Sequence, residues 1–98
     1  MQSEKKTEDY LNAQVKKRKG LSIKLLSMYM LGLPDRMVLL PKGYIVFIET
    51  KSEGEKPRRI QSAMHDKIRQ LGFAVEVADT KERIDEILAM YDRYAKSV

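Results

Sequence analysis

Residues 44–48, Tyr-Ile-Val-Phe-Ile, constrain the fold of this chain more than any other segment. In an extended strand Tyr44, Val46 and Ile48 point to one face and Ile45 and Phe47 to the other, so both faces are apolar. Such a strand needs cover on both sides, which places it in the middle of a sheet. The preceding run, residues 36–41 (RMVLLP), is short and rich in β-forming residues, and Lys42-Gly43 between the two is a turn dipeptide that suits a hairpin. A central antiparallel pair is therefore expected.

The flanking segments predict the remaining elements. Residues 3–18 are charged and free of Gly and Pro, with Leu11 and Val15 on a helical stripe that runs back through Glu8 and Glu4; Gly20 ends this helix. Residues 21–31 are apolar but are cut off by Gly32-Leu33-Pro34, and read as a strand followed by a loop. After a polar loop, Pro57 opens a helix with Ile60, Met64, Ile68 and Leu71 as its buried stripe and Gly72 as its stop. A strand at 73–78 follows. The last helix has Asp79 as its cap, three residues before Glu82, and Ile84, Ile87, Leu88, Tyr91 and Ala95 as its core face. The order is α-β-β-β-α-β-α, a single α/β domain over residues 1–98.

Composition narrows the chemistry. With no cysteine and one histidine, a bound metal would sit mainly on oxygen ligands, which favours a hard cation, Mg²⁺ or Mn²⁺. The net charge of +5 suits a polyanionic partner. The polar, acid-containing start MQSEKKTEDY is neither a secretory signal nor a transit peptide, and no run reaches the roughly 20 apolar residues that span a bilayer. The expectation is a soluble, cytoplasmic protein with no membrane partner.

The strand face carrying Ile45 and Phe47 continues with Glu49 and Lys51, so an acid and a base project together from an apolar surface. Charges in such a place are costly unless paired or bound to a metal. Asp35 enters just before the neighbouring strand, and the hairpin brings it alongside. Two carboxylates and one lysine match phosphodiester hydrolysis, in which the acids hold a divalent cation and the amine steers or deprotonates a water. The plain alternative is a turn at Pro34-Asp35 and a solvated strand end at Glu49-Thr50-Lys51.

The stretch GLPDRMVLLPKGYIVFIETKSEGEKPRRIQ resembles the VRR-NUC family of the PD-(D/E)XK nuclease superfamily. The resemblance implies a restriction-endonuclease-like core, a mixed sheet flanked by helices, with the motif on Pro34-Asp35 and Glu49-Thr50-Lys51. It implies that Asp35, Glu49 and the Thr50 main-chain carbonyl are metal ligands, that Lys51 is the catalytic lysine, and that Gln61 stands beside the site. Superfamily members often add an acid from the first helix, here Glu4, with Glu8 as runner-up. The likeness to short phage and prophage members implies a Mg²⁺-dependent endonuclease, with Mn²⁺ as a substitute, that cuts branched DNA and leaves a 5′-phosphate. Holliday-junction resolution is the most concrete candidate, with a non-catalytic branched-DNA-binding module and a flap or nicking endonuclease as rivals. Cutting a junction symmetrically calls for a homodimer.

Other charged and apolar residues complete the reading. Lys56, Arg58 and Arg59 are candidate phosphate contacts, and so are Lys16 and Lys17, which also suit a solvated helix end. Arg36 either touches phosphate or braces Asp35. His65 reads as helix-surface packing. The apolar run 25–33 reads as core, with a dimer surface as the alternative.

Overall fold

A computed structural model describes all 98 residues. Helix α1 spans Glu4–Lys17, strand β1 Leu21–Lys24, β2 Arg36–Leu40, β3 Tyr44–Thr50, helix α2 Arg59–Gln70, β4 Ala74–Ala78 and helix α3 Lys81–Ser97. The sheet order is β1-β2-β3-β4; β1 pairs antiparallel with β2, β2 antiparallel with β3, and β4 parallel with β3. The predicted α-β-β-β-α-β-α order and mixed sheet are present, and β3 is an interior strand. No helix is long and apolar enough to cross a membrane.

The two faces of the sheet are covered unequally. On one, α1 and α3 close over a core of Leu11, Val15, Val38, Leu40, Val46, Ile48, Ala78, Ile84, Ile87, Leu88 and Tyr91. Fully burying an aliphatic side chain of this size stabilises by about 1.5–3 kcal/mol, so this layer carries the fold. On the other, α2 lies alone: Phe47 is half-buried against Phe73, ring centroids 6.1 Å apart, and Ile45 is exposed. The apolar second face of β3 is thus only partly covered.

The expected stripe on α2 is misplaced. Ile60 and Leu71 are exposed, Met64 and Ile68 only half-buried, and the buried side chains of this helix are Gln61 and His65. The inward face is rotated because the end of β3 presents charged groups that demand polar partners. On α1 the buried positions are Thr7, Leu11 and Val15, while Glu4 is exposed and Glu8 lies at the margin of the stripe.

The caps explain the helix ends. Ser3 Oγ accepts the Lys6 amide, and Thr80, not Asp79, caps α3 by accepting the Arg83 amide. Asp79 is engaged elsewhere, accepting the Gly54 amide at 2.8 Å and so tying down the loop after β3. The β2–β3 hairpin uses Pro41, Lys42 and Gly43, with Lys42 in the left-handed region at φ 69°. Its Nζ donates to the carbonyls of Ala95 and Val98, and Tyr94 donates its hydroxyl to the Lys42 carbonyl, so α3's open C-terminal end holds the turn.

Gly20 does more than follow a helix. The chain turns at Lys19, φ 63°, and Gly20 then passes so close to β2 that a Cβ would lie 2.6 Å from Leu40 Cδ2 and 2.7 Å from the Leu39 carbonyl oxygen. The backbone oxygen cannot swing aside. Gly20→Ala is expected to cost about 1–3 kcal/mol in urea unfolding; an unchanged midpoint would show that β2 shifts freely.

Candidate active site

Alternation along β3 sends Ile48 and Thr50 into the α1/α3 layer and Glu49 and Lys51 toward α2. Glu49 is 2% exposed and Lys51 9%, so both charges are largely withdrawn from water. The pairing of Arg36 with Ile48 sets Asp35 just before the start of β2, beside the Glu49–Thr50 peptide. Pro34 before it is buried, and its fixed φ stiffens the approach. Asp35 Oδ2 accepts the Thr50 amide at 3.1 Å and the Thr50 hydroxyl at 3.0 Å, and the Asp35 carbonyl accepts the Leu25 amide at 2.8 Å.

A second network links Glu49 and Lys51 through α2. Gln61 Nε2 donates to Glu49 Oε2 at 3.1 Å, Lys51 Nζ donates to Gln61 Oε1 at 3.0 Å, and Lys51 Nζ lies 3.3 Å from Glu49 Oε2. Gln61 Oε1 also accepts the Arg58 amide at 2.8 Å, so a residue in the first turn of the helix, fixed to its cap, orients the acid and the amine at once. The structure therefore brings Asp35, Glu49, Thr50, Lys51 and Gln61 together.

Burial pushes the Glu49 carboxyl up from the usual carboxylate range; the negative charge of Asp35 adds to this, and Lys51 only partly opposes it. Glu49 Oε1 accepts no hydrogen bond, and His65, buried against it, has its Nε2 3.9 Å away, likewise without a partner. Burial, then the charge of Arg69, pushes the His65 imidazole below its ordinary pKa. An unsatisfied buried polar atom costs about 1–3 kcal/mol.

His65 is the residue that sequence reading assigned to helix-surface packing; it is 1% exposed and faces the site. The missed signal was its spacing of four from Gln61, which puts both on one face of α2. Arg36 braces neither Asp35 nor an open surface, because its guanidinium turns to Glu8 at 3.3 Å on the opposite face of the sheet. Glu8 also pairs with Lys24 at 3.0 Å; burial acts to raise its pKa, but the bonds and charges of Lys24 and Arg36 outweigh it and leave it lowered. Glu4 stands exposed in the first turn of α1, and no set of three acidic or histidine side chains converges as a metal-holding group. Lys16 and Lys17 close α1 at the hairpin end of the sheet, about 20 Å along the helix from its first turn. Lys56, Arg58 and Arg59 are exposed beside Gln61.

The raised Glu49 carboxyl has a consequence for stability. An acid whose folded-state pKa lies above its unfolded value favours the fold while protonated, and that contribution is lost as pH rises through the folded value. The stability of Glu49→Gln relative to the parent is therefore expected to fall as pH falls through the Glu49 pKa, because protonation relieves a buried charge in the parent alone. Urea unfolding at neutral and acid pH tests this; a relative stability that rises instead would mean that pairing with Lys51 outweighs burial.

The sequence and the fold each resemble those of another protein. The chain is 40% identical over 75 residues to "Putative nuclease p44" of Acyrthosiphon pisum secondary endosymbiont phage 1, covering 76% of this chain and 81% of that protein. It superposes on a solved VRR_NUC domain with a TM-score of 0.85 at 30% identity, over 93% of this chain and 99% of that one. No protein-family profile matches the chain. A buried acid, lysine and glutamine at the end of the central strand, held in a fold shared almost end to end with a VRR_NUC domain, establish that the chain belongs to the VRR-NUC nuclease family.

Proposed function

We propose that this nuclease is a Mg²⁺-dependent, structure-selective endonuclease that hydrolyses phosphodiester bonds in branched DNA, resolving Holliday junctions as a homodimer in the cytoplasm. The observation that carries the reading is the convergence of Asp35, Glu49, Lys51 and Gln61 at one buried strand end.

The donor set fits a hard cation. Asp35 is held through Oδ2 alone, Glu49 Oε1 is buried without a partner, and both are carboxylate oxygens. Asp35, Glu49 and the Thr50 carbonyl are the residues that would hold it. Two carboxylates with water or phosphate oxygens suffice for Mg²⁺, which keeps much of its hydration, and Mn²⁺ takes the same ligands. When bound, the cation polarises the phosphate and offsets charge in the transition state.

The chain's own residues supply the rest. Gln61 holds Lys51 Nζ beside Glu49, so the amine meets the attacking water in a fixed place and returns positive charge to the reacting phosphate. Lys56, Arg58 and Arg59 offer phosphate contacts that position a backbone without reading bases.

The apolar run after β1 supports the homodimer. Leu26, Met28 and Tyr29 are 85%, 90% and 96% exposed, which overturns the expectation that this run packs in the core. Met30 and Leu33 line one wall of an apolar cavity of about 430 Å³ against Phe47, Met64, Ile68 and Phe73. Gly32, φ +83°, lets the run press on α2: a Cβ there would meet the Ile60 carbonyl at 2.5 Å. A patch of this kind at the edge of a site suits a two-fold contact that sets two active sites on one junction.

Purified protein, Lys51→Ala and Tyr29→Asp are to be incubated with labelled four-way junction, flap and linear duplex DNA, with and without Mg²⁺ or Mn²⁺. Metal-dependent junction cutting is expected, reduced about 10²–10⁴-fold in Lys51→Ala with binding retained. Tyr29→Asp is expected to be monomeric by light scattering and to nick rather than resolve. Tight junction binding without cleavage under either metal would overturn the enzymatic reading in favour of a binding module.

A further inference from the structure

Gln61 and His65 stand one turn apart on the face of α2 that meets the end of β3, and both face the Glu49 carboxylate. Gln61 donates to Oε2. Oε1 accepts nothing, and the His65 Nε2 opposite it, 3.9 Å away, also lacks a partner. That separation is too long for a hydrogen bond, yet the two atoms are the only unpartnered buried side-chain polar atoms on this side of the sheet and they face one another. A helix required only to cover Phe47 and Val75 would carry an apolar residue at this position, as it does at Met64 and Ile68.

We propose that His65 is a positioning residue for Glu49: its Nε2–H closes on Oε1, so that Gln61 and His65 each grip one carboxylate oxygen and fix the plane of the ligand. Oε2 is taken by Gln61 and Lys51, and Oε1 keeps a second lone pair for the cation. Glu49 is already held by Gln61 and Lys51, but at Oε2 alone, which leaves its carboxylate free to pivot about that oxygen. The second grip removes the rotation, and outer partners of this kind set the affinity of a metal site. The inference rests on Glu49 being a cation ligand.

Calorimetric titration with Mn²⁺ of the full chain, His65→Ala and His65→Gln tests it, with thermal melting as the check on folding. The parent is expected to bind Mn²⁺, and His65→Ala to bind about 10–100-fold more weakly. The Mn²⁺ concentration for half-maximal junction cleavage should rise by the same factor, with the rate at saturating Mn²⁺ little changed. His65→Gln, which offers an N–H at a similar reach, should recover most of the affinity. If the alanine variant does not fold, His65→Leu fills the space without an N–H and takes its place. Parent-like Mn²⁺ binding by His65→Ala overturns the proposal, and so does a glutamine variant no better than alanine. Failure of the parent itself to bind Mn²⁺ overturns the assignment of Glu49 as a ligand, and this inference with it, so the two failures are told apart by which protein fails.

Discussion

An acid and an amine are buried side by side at the end of the strand that the rest of the sheet is built around, and the surrounding structure follows from that constraint. Glu49 and Lys51 are 3.3 Å apart, and neither can be left in an apolar layer without partners. Gln61 supplies one for each, which sets the rotation of α2 and places its first turn over the strand end. Asp35 reaches the same place by a separate anchor, the amide and hydroxyl of Thr50, so the two carboxylates are brought together by bonds that do not depend on one another.

This arrangement divides the molecule into a layer for stability and a layer for chemistry. The α1/α3 side holds the contiguous core, fixed by two capped helices and by the Lys42 and Tyr94 contacts that tie the hairpin to the last helix. The α2 side has fewer buried apolar groups and a raised carboxyl, and it leaves Ile60, Leu71 and the 26–31 run open. The desolvation collected on the thin side is tolerable because the thick side carries the fold.

Much of the core of the site was legible in the sequence, for physical reasons that particular residues make plain. Period-two alternation alone put Glu49 and Lys51 on one face, and the turn dipeptide set Asp35 alongside. Gln61 came from family resemblance. His65 was missed because a stripe was sought among apolar residues, whereas the cover of a charged strand end has to be polar; Ile60 and Leu71 follow helical spacing but face outward. Glu8 shows the reverse error. It was read as lying on the inward stripe of α1, but it sits at the margin, and its direction is set by Arg36 and Lys24, which are distant in sequence and lie on the other face of the sheet from Glu49. Capping by Thr80 instead of Asp79 likewise turns on a long-range contact, the Gly54 amide.

The central claim is that Asp35 and Glu49 hold one divalent cation between them. Crystals of the protein soaked in Mn²⁺ and measured at the manganese edge test it most directly. A single anomalous peak in contact with both carboxylates is the predicted result; a soaked crystal with no peak there, or with manganese bound only at Glu8 or elsewhere on the surface, would contradict the account.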